Sequence, residues 1–349
     1  MKGRILTNIL SALFLILFAL GGLLFVSLRG PSATMRNRLT LTLLETSALK
    51  IVPGLFLSAE LVDSILSDNA VIEPSGISDA SLVTTFLPIT SDNDGQATVA
   101  EAVNPDEWAD YPEGIRIEYI KGDLYRGYVM LIRDPSRVYT ATSSDFKSGQ
   151  PGLKIPDAIK KEGAIAAING GAFPDVNGVG LGDVPLGLVF SKGELLWGSR
   201  GTTYSSVIGF DENHVLLVGS MSPETARDLH IRDALCFGPS LVVNGEAVEI
   251  KGLTGGLNPR SAIGQRADGT VILLCIDGRM PSSLGASFAD LIQIMLEFGA
   301  VNASNLDGGS SSHLYYKGEA LNVSSSLYGP RRLPTFFMVK DLEDGGGAT

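Results

Sequence analysis

Residues 5–28 carry no charged side chain, and at 24 residues this run is long enough to cross a bilayer core of about 30 Å as a helix. It leaves through Leu28-Arg29-Gly30-Pro31, with none of the small-residue exit of a cleavable leader, so it is read as an uncleaved membrane anchor spanning 1–28, with a cleaved signal as the alternative. Lys2 and Arg4 precede the run and Arg29, Arg36 and Arg38 follow it. The positive-inside bias nearly cancels, so orientation must come from function.

Behind the anchor, Leu39, Leu43, Leu44, Leu61, Ile65 and Leu66 recur at three- and four-residue steps around a break at Pro53-Gly54. Residues 36–67 are therefore expected to be helical. From Ser67 onward the composition turns polar and acidic, and 29–110 is expected to be a juxtamembrane stalk and linker. A compact domain is expected over 111–342, followed by a flexible tail over 343–349.

Within that domain, short turns separate apolar, β-branched runs: Lys121-Gly122-Asp123, Lys192-Gly193-Glu194, Asp211-Glu212-Asn213, Asn244-Gly245, Asp268-Gly269 and Lys317-Gly318. They predict a largely antiparallel sheet system. Two helices interrupt it, one from Pro156 to a stop at Gly163 and one opening on Ser287 with Asp290 in capping position and closing at Gly299. The expected class is α+β with a few packed helices.

The net charge of −11 excludes a general basic face for nucleic acid. An anionic ligand must then be met by locally placed Arg or Lys. Two cysteines, Cys236 and Cys275, are too few for a disulfide scaffold or a four-Cys zinc site and read as buried thiols, with a single disulfide between them as the alternative. His214, His230 and His313 lack the spacing of a two-His metal motif. Metal ligation is left open.

Three glycine-punctuated turns carry polar groups at strand ends. Asn169-Gly170-Gly171 follows an apolar strand; Asp277-Gly278-Arg279 follows another, whose hairpin partner begins at Arg260; and Asn305-Leu306-Asp307-Gly308-Gly309-Ser310-Ser311-Ser312 follows the capped helix. If the hairpin pairs as written, Asp277, Arg279 and Arg260 share one sheet end, and guanidinium forks suit phosphate oxygens. A carboxylate backed by two glycines and hydroxyls, as at Asp307, suits acid–base, nucleophilic or cation-binding work.

In series, these segments resemble the phosphodiester glycosidase family over residues 163–340. The resemblance rests on Asn169-Gly170-Gly171 with Phe173, Phe237-Gly238-Pro239 with Asn244-Gly245-Glu246, Pro259-Arg260-Ser261-Ala262-Ile263-Gly264, Asp277-Gly278-Arg279, and Asn305-Leu306-Asp307-Gly308-Gly309 with Ser311-Ser312. Ala172 stands where the family usually has an aromatic, and Ser310 where it has a third glycine. Together with the uncharged run of 5–28, the resemblance implies a membrane-anchored, extracytoplasmic hydrolase that cleaves a sugar-1-phosphodiester in a phosphorylated glycan or envelope polymer. Asp307 and Asp277 would be catalytic, and Arg260 and Arg279 would hold the phosphodiester. Asn169, Gly170, Gly171, Asn305, Gly308, Gly309, Ser312 and His313 would line the substrate. No cofactor is required, although a divalent cation bridging Asp307 and phosphate is compatible. The alternative is a non-catalytic envelope module that binds anionic glycan during exopolysaccharide export or anchoring.

Overall fold

The computed structural model describes residues 2–46, 49–84, 105–175, 180–326 and 329–342. Part of the expected linker, 85–104, and the expected tail, 343–349, lie outside them. The chain divides into two compact units: Met1–Ala70 with Lys251–Leu257, and Val71–Ile250 with Asn258–Thr349.

The first unit is helical. Its long helix, Lys2–Arg29, includes the apolar stretch Arg4–Arg29, which is long and apolar enough to cross a membrane. Ala33–Leu44, Val52–Phe56 and Ala59–Ser67 follow. Ser32 and Ser58 cap two of these by accepting from the backbone N–H of Met35 and Leu61, and Pro53 opens the third, where its missing N–H costs nothing. Leu28, Leu41, Leu57 and Ile65 form the unit's core. The return segment closes it through Leu257 N–H to Thr42 Oγ1 at 3.0 Å and Leu253 N–H to Asn69 Oδ1 at 2.7 Å.

The second unit is an α+β assembly in which every pairing between described strands is antiparallel. A seven-stranded central sheet contains Ile115–Lys121, Arg126–Ile132, Val271–Ile276, Arg260–Arg266 and Ala300–Leu306 in adjacent order, with Ser240–Val243 and Glu246–Ala247 beyond. Its inner strands Val271–Ile276 and Arg260–Arg266 are buried on both faces. Met130, Ile263 and Leu273 join one core, while Val129, Leu131, Ala262, Ile272 and Leu274 join another under the helix Phe288–Glu297. That explains why Val271–Ile276 reads as a continuous apolar run rather than an alternating one.

Two five-stranded sheets complete the unit. One holds Ala164–Asn169 between Leu314–Tyr316 and Thr335–Lys340, backed by the helix Ile155–Glu162; the other is built around Tyr204–Asp211, Leu216–Met221 and Ile231–Cys236. The helix ends and turns obey their local chemistry. Ser287 and Asp290 make a reciprocal capping box, Gly163 takes φ +66° behind the first helix, and Lys192-Gly193, Asn244-Gly245 and Lys317-Gly318 have positive φ at both turn positions.

Residues 71–84 pack on this unit. Val71–Ile72 pairs with Glu249–Ile250, Ser78 exchanges hydrogen bonds with Val218, and the Glu73 carboxylate accepts from Ser206 Oγ at 2.7 Å.

Phe337 lies in the core shared by the sheets, fully buried, its ring edge-on to Phe210 at 6.2 Å between centroids. Phe337→Ala is expected to cost about 3–5 kcal/mol in urea unfolding. Tyr119→Ala, on an exposed side chain of the outermost strand, is expected to change stability by about 0.5 kcal/mol or less.

Candidate active site

The three glycine turns meet at one end of the packed sheets. Arg260 pairs with Ile276, and Ser261 pairs with both Cys275 and Leu306, so Arg260, Asp277 and Asp307 sit at neighbouring strand ends. The fastener is Asn169, fully buried at the end of Ala164–Asn169. Its Nδ2 donates to the Asp307 carbonyl, and its Oδ1 accepts from Ser261 Oγ at 2.7 Å and from the His313 N–H at 3.1 Å. The Asp307 N–H donates to the Gly170 carbonyl at 3.1 Å, and the Gly309 N–H to the Pro259 carbonyl at 2.8 Å.

Gly170 and Gly171 are needed for close backbone packing. A Cβ on Gly170 would lie 2.5 Å from the Thr335 carbonyl oxygen, and one on Gly171 would lie 2.7 Å from that of Cys236. Protein fills the space beside both. Gly309, at φ +62°, is different: a Cβ there would meet the Arg279 guanidinium at 3.1 Å, so the bare turn is what lets Arg279 lie across it. Gly308 lies beside the Pro259 carbonyl.

Asp307 is the group with perturbed chemistry. Burial pushes its carboxyl from 3.8 up to about 6, opposed by the Ser311 hydroxyl and the Arg331 charge, with Asp175 adding to the rise. Asp175 and Arg331 were not legible as site residues in the sequence. They form a bidentate pair, at 2.7 and 2.8 Å, and the Arg331 guanidinium lies 5.0 Å from the centre of the Phe173 ring. The available signals were weak: an Asp two residues after Phe173, and an Arg pair after Gly329-Pro330.

Asp277 is held differently. It is 3% exposed, its Oδ2 accepts from Arg126 Nε at 3.1 Å, and its Oδ1 accepts from the Val323 N–H at 2.8 Å. Both oxygens carry protein partners. Arg260 is also packed inside, its guanidinium 4.1 Å from the centre of the Phe288 ring and its Nε donating to the Ala286 carbonyl. Arg279, by contrast, is exposed and donates to Asn258 Oδ1 at 3.0 Å.

Asn305 Oδ1, Ser312 Oγ and His313 Nε2 are among the deeply buried polar atoms of these segments that have no hydrogen-bond partner among the described residues. Asn305 spends its Nδ2 on the Gly238 carbonyl. His313 has Nδ1 at 3.3 Å from the Ser311 carbonyl, which can only accept, so Nδ1 carries the proton and Nε2 is left as an acceptor. Burial lowers its pKa, which keeps the ring neutral at neutral pH.

The match to known proteins decides the family. Residues 162–340, more than half of the chain, match the family model described as phosphodiester glycosidase. The chain belongs to the phosphodiester glycosidase family. A relative in Bacillus subtilis (strain 168), the SPbeta prophage-derived uncharacterized protein YomE, is 30% identical over 174 residues, covering 47% of this chain and 26% of that protein. The chain therefore spans about a quarter of the length of this relative. Among solved structures, the catalytic domain of zebrafish N-acetylglucosamine-1-phosphodiester α-N-acetylglucosaminidase, auto-inhibited by its pro-peptide, aligns with a TM-score of 0.54 at 19% identity, over 67% of this chain and 85% of that one. A hypothetical protein from Synechocystis aligns with a TM-score of 0.47 at 18% identity, over 64% and 61%. The phosphodiester glycosidase domain thus has the α+β fold expected from its hairpin and capping signals.

Two measurements separate its carboxylates. Well below pH 3.8 Asp307 is protonated in both folded and unfolded chains; above about 6 the native state bears the cost of ionising a desolvated group. Asp307→Asn removes that cost, so the variant's Tm relative to the parent is expected to rise between pH 4 and pH 8. At Asp277 the expectation concerns packing. Arg126→Met strands a buried carboxylate and is expected to lose on the order of 3 kcal/mol in urea unfolding, more than the neutral isostere Asp277→Asn.

Proposed function

We propose that this phosphodiester glycosidase is a membrane-anchored hydrolase whose domain lies outside the cytoplasm and releases the sugar from a sugar-1-phosphodiester in a phosphorylated glycan or envelope polymer. The observation that carries the reading is Asp307: a carboxyl raised to about 6 at a glycine turn, with Arg331 and Arg279 beside that turn. The fold positions it through Asn169.

The chemistry follows from the leaving group. A phosphodiester departs as an already stabilised anion, so protonation of the leaving oxygen matters less than neutralisation of its charge and delivery of water. Guanidiniums supply the first. A carboxylate with a pKa near 6 is mostly ionised at pH 7 and still basic enough to take a proton from water attacking C1. Asp307 is assigned that role. Arg279 and Arg331 are assigned to the phosphate. Asp277 and Arg260 support the site by packing, and His313 Nε2 is an acceptor for water or a sugar hydroxyl. The cations of this reading are guanidiniums; a divalent ion shared by Asp307 and phosphate would add to them.

The anchor is supported by the packing of its own end. Leu28 is fully buried against Leu41, Leu57 and Ile65, so removal of the N-terminal helix would uncover their core.

The test is hydrolysis of sugar-1-phosphodiesters by the full-length protein in detergent. In ¹⁸O-labelled water the label is expected in the sugar, since the C–O bond breaks; label in the phosphate would mean P–O cleavage. kcat/KM is expected to fall as pH drops through about 6, where Asp307 takes up its proton. Asp307→Asn is expected to lower kcat by a factor on the order of 10² or more. A folded Asp307→Asn protein with normal turnover overturns the assignment. Binding of the phosphodiester without turnover by the parent favours the glycan-binding module.

A further inference from the structure

The helical unit leaves a cluster of large apolar side chains uncovered. Leu49, Ile51 and Leu55 are 46%, 66% and 73% exposed, on the turn and short helix that follow the break after Leu44. Ile51 and Leu55 are four residues apart and share one side of Val52–Phe56, while Phe56 and Leu57 turn inward to the core around Leu28. The segment is two-faced. Its inner face is accounted for, and its outer face is apolar and exposed.

The inner contacts place this segment. On the long helix, Leu24 and Ser27 are partly covered and Leu28 is fully buried, a set spaced along one face of its final turns, and the helices that cover them include Val52–Phe56. The apolar stretch Arg4–Arg29 has 26 residues, about 39 Å of helix at 1.5 Å per residue, against a hydrocarbon core of about 30 Å. Centred on that core, the helix leaves about 4–5 Å beyond it at each end, so its last turn, with Leu28, lies at the headgroup layer. What packs against that turn lies at the same boundary.

Charge points the same way. Over residues 29–57 the basic side chains are Arg29, Arg36, Arg38 and Lys50 and the acidic side chain is Glu45, in a chain whose net charge is −11. A local basic collar on an acidic protein fits an anionic lipid surface.

We propose that residues 49–56 form a membrane-dipping segment that seats Leu49, Ile51 and Leu55 at the boundary between headgroups and acyl chains of the bilayer crossed by the N-terminal helix, with the basic collar against anionic headgroups. The proposal rests on the reading of that helix as a retained span. Side chains of this kind bury about 5–10 Å into the boundary, so the helical unit is held against the bilayer by a second contact and does not swing freely on a single helix.

The experiment uses the full-length chain in vesicles of phosphatidylcholine and phosphatidylglycerol. A single environment-sensitive fluorophore is placed at Leu55→Cys, with Phe18→Cys and Lys121→Cys as references for the span and for water. Cys236 and Cys275 are buried, so labelling is directed to the introduced thiol. The residue-55 probe is expected to be quenched several-fold more by a lipid with a shallow nitroxide than by aqueous iodide. The Lys121 probe should show the reverse, and the Phe18 probe should respond to a deep nitroxide. A residue-55 probe as open to iodide as the Lys121 probe, with the Phe18 probe still quenched from within the bilayer, overturns the proposal and leaves the span standing. A Phe18 probe in water overturns the span, and the proposal with it.

Discussion

The buried amide of Asn169 uses both of its polar atoms on chain segments far from it in sequence: the Asp307 carbonyl, the Ser261 hydroxyl and the His313 N–H. A buried amide left unsatisfied costs about 1–3 kcal/mol, so these partners come as a set. Because they belong to three strand ends in two sheets, one side chain fixes where the sheets meet. Gly170 and Gly171 make the same junction possible sterically, since the Thr335 and Cys236 carbonyls occupy the positions their Cβ atoms would take.

That junction sorts two otherwise similar carboxylates. Asp277 and Asp307 each follow a buried strand and precede a glycine, yet Asp277 has both oxygens bound, by Arg126 and by the Val323 N–H, while the carboxyl of Asp307 is pushed up by desolvation that outweighs the Ser311 hydroxyl and the Arg331 charge. One is tied into an ion pair and the other is left with its carboxyl raised to about 6. The Asp175–Arg331 pair acts on Asp307 with both signs, the guanidinium lowering and the carboxylate raising its pKa. Arg260 and Arg279 diverge in the same way, one stacked on Phe288 in the interior and the other exposed over Gly309.

The helical unit obeys a different physics. Its long helix is apolar all round except at its last turns, where one face is packed by protein. Such a helix cannot be satisfied by water along most of its length, and it cannot leave the packed end without exposing Leu41, Leu57 and Ile65. The exposed Ile51 and Leu55 extend that apolar demand onto the neighbouring short helix.

Local chemistry was legible in the amino-acid order. The apolar run of 5–28, the capping box at Ser287 and Asp290, the stop at Gly163 and the two-residue turns at Lys192-Gly193, Asn244-Gly245 and Lys317-Gly318 depend on neighbours within a few residues, and each appears where the sequence places it. The pairing of Arg260–Arg266 with Val271–Ile276 belongs to this class, because a short turn fixes its register. So does the family, whose model matches residues 162–340. The environment of each charged group was decided by the tertiary structure. Whether Asp277 meets Arg126, whether Asp307 is desolvated, whether Arg260 turns inward and whether Arg331 approaches from more than twenty residues away depend on contacts between segments distant in sequence. Desolvation and ion pairing are properties of a place in space, and no residue spacing encodes them until the sheets have packed.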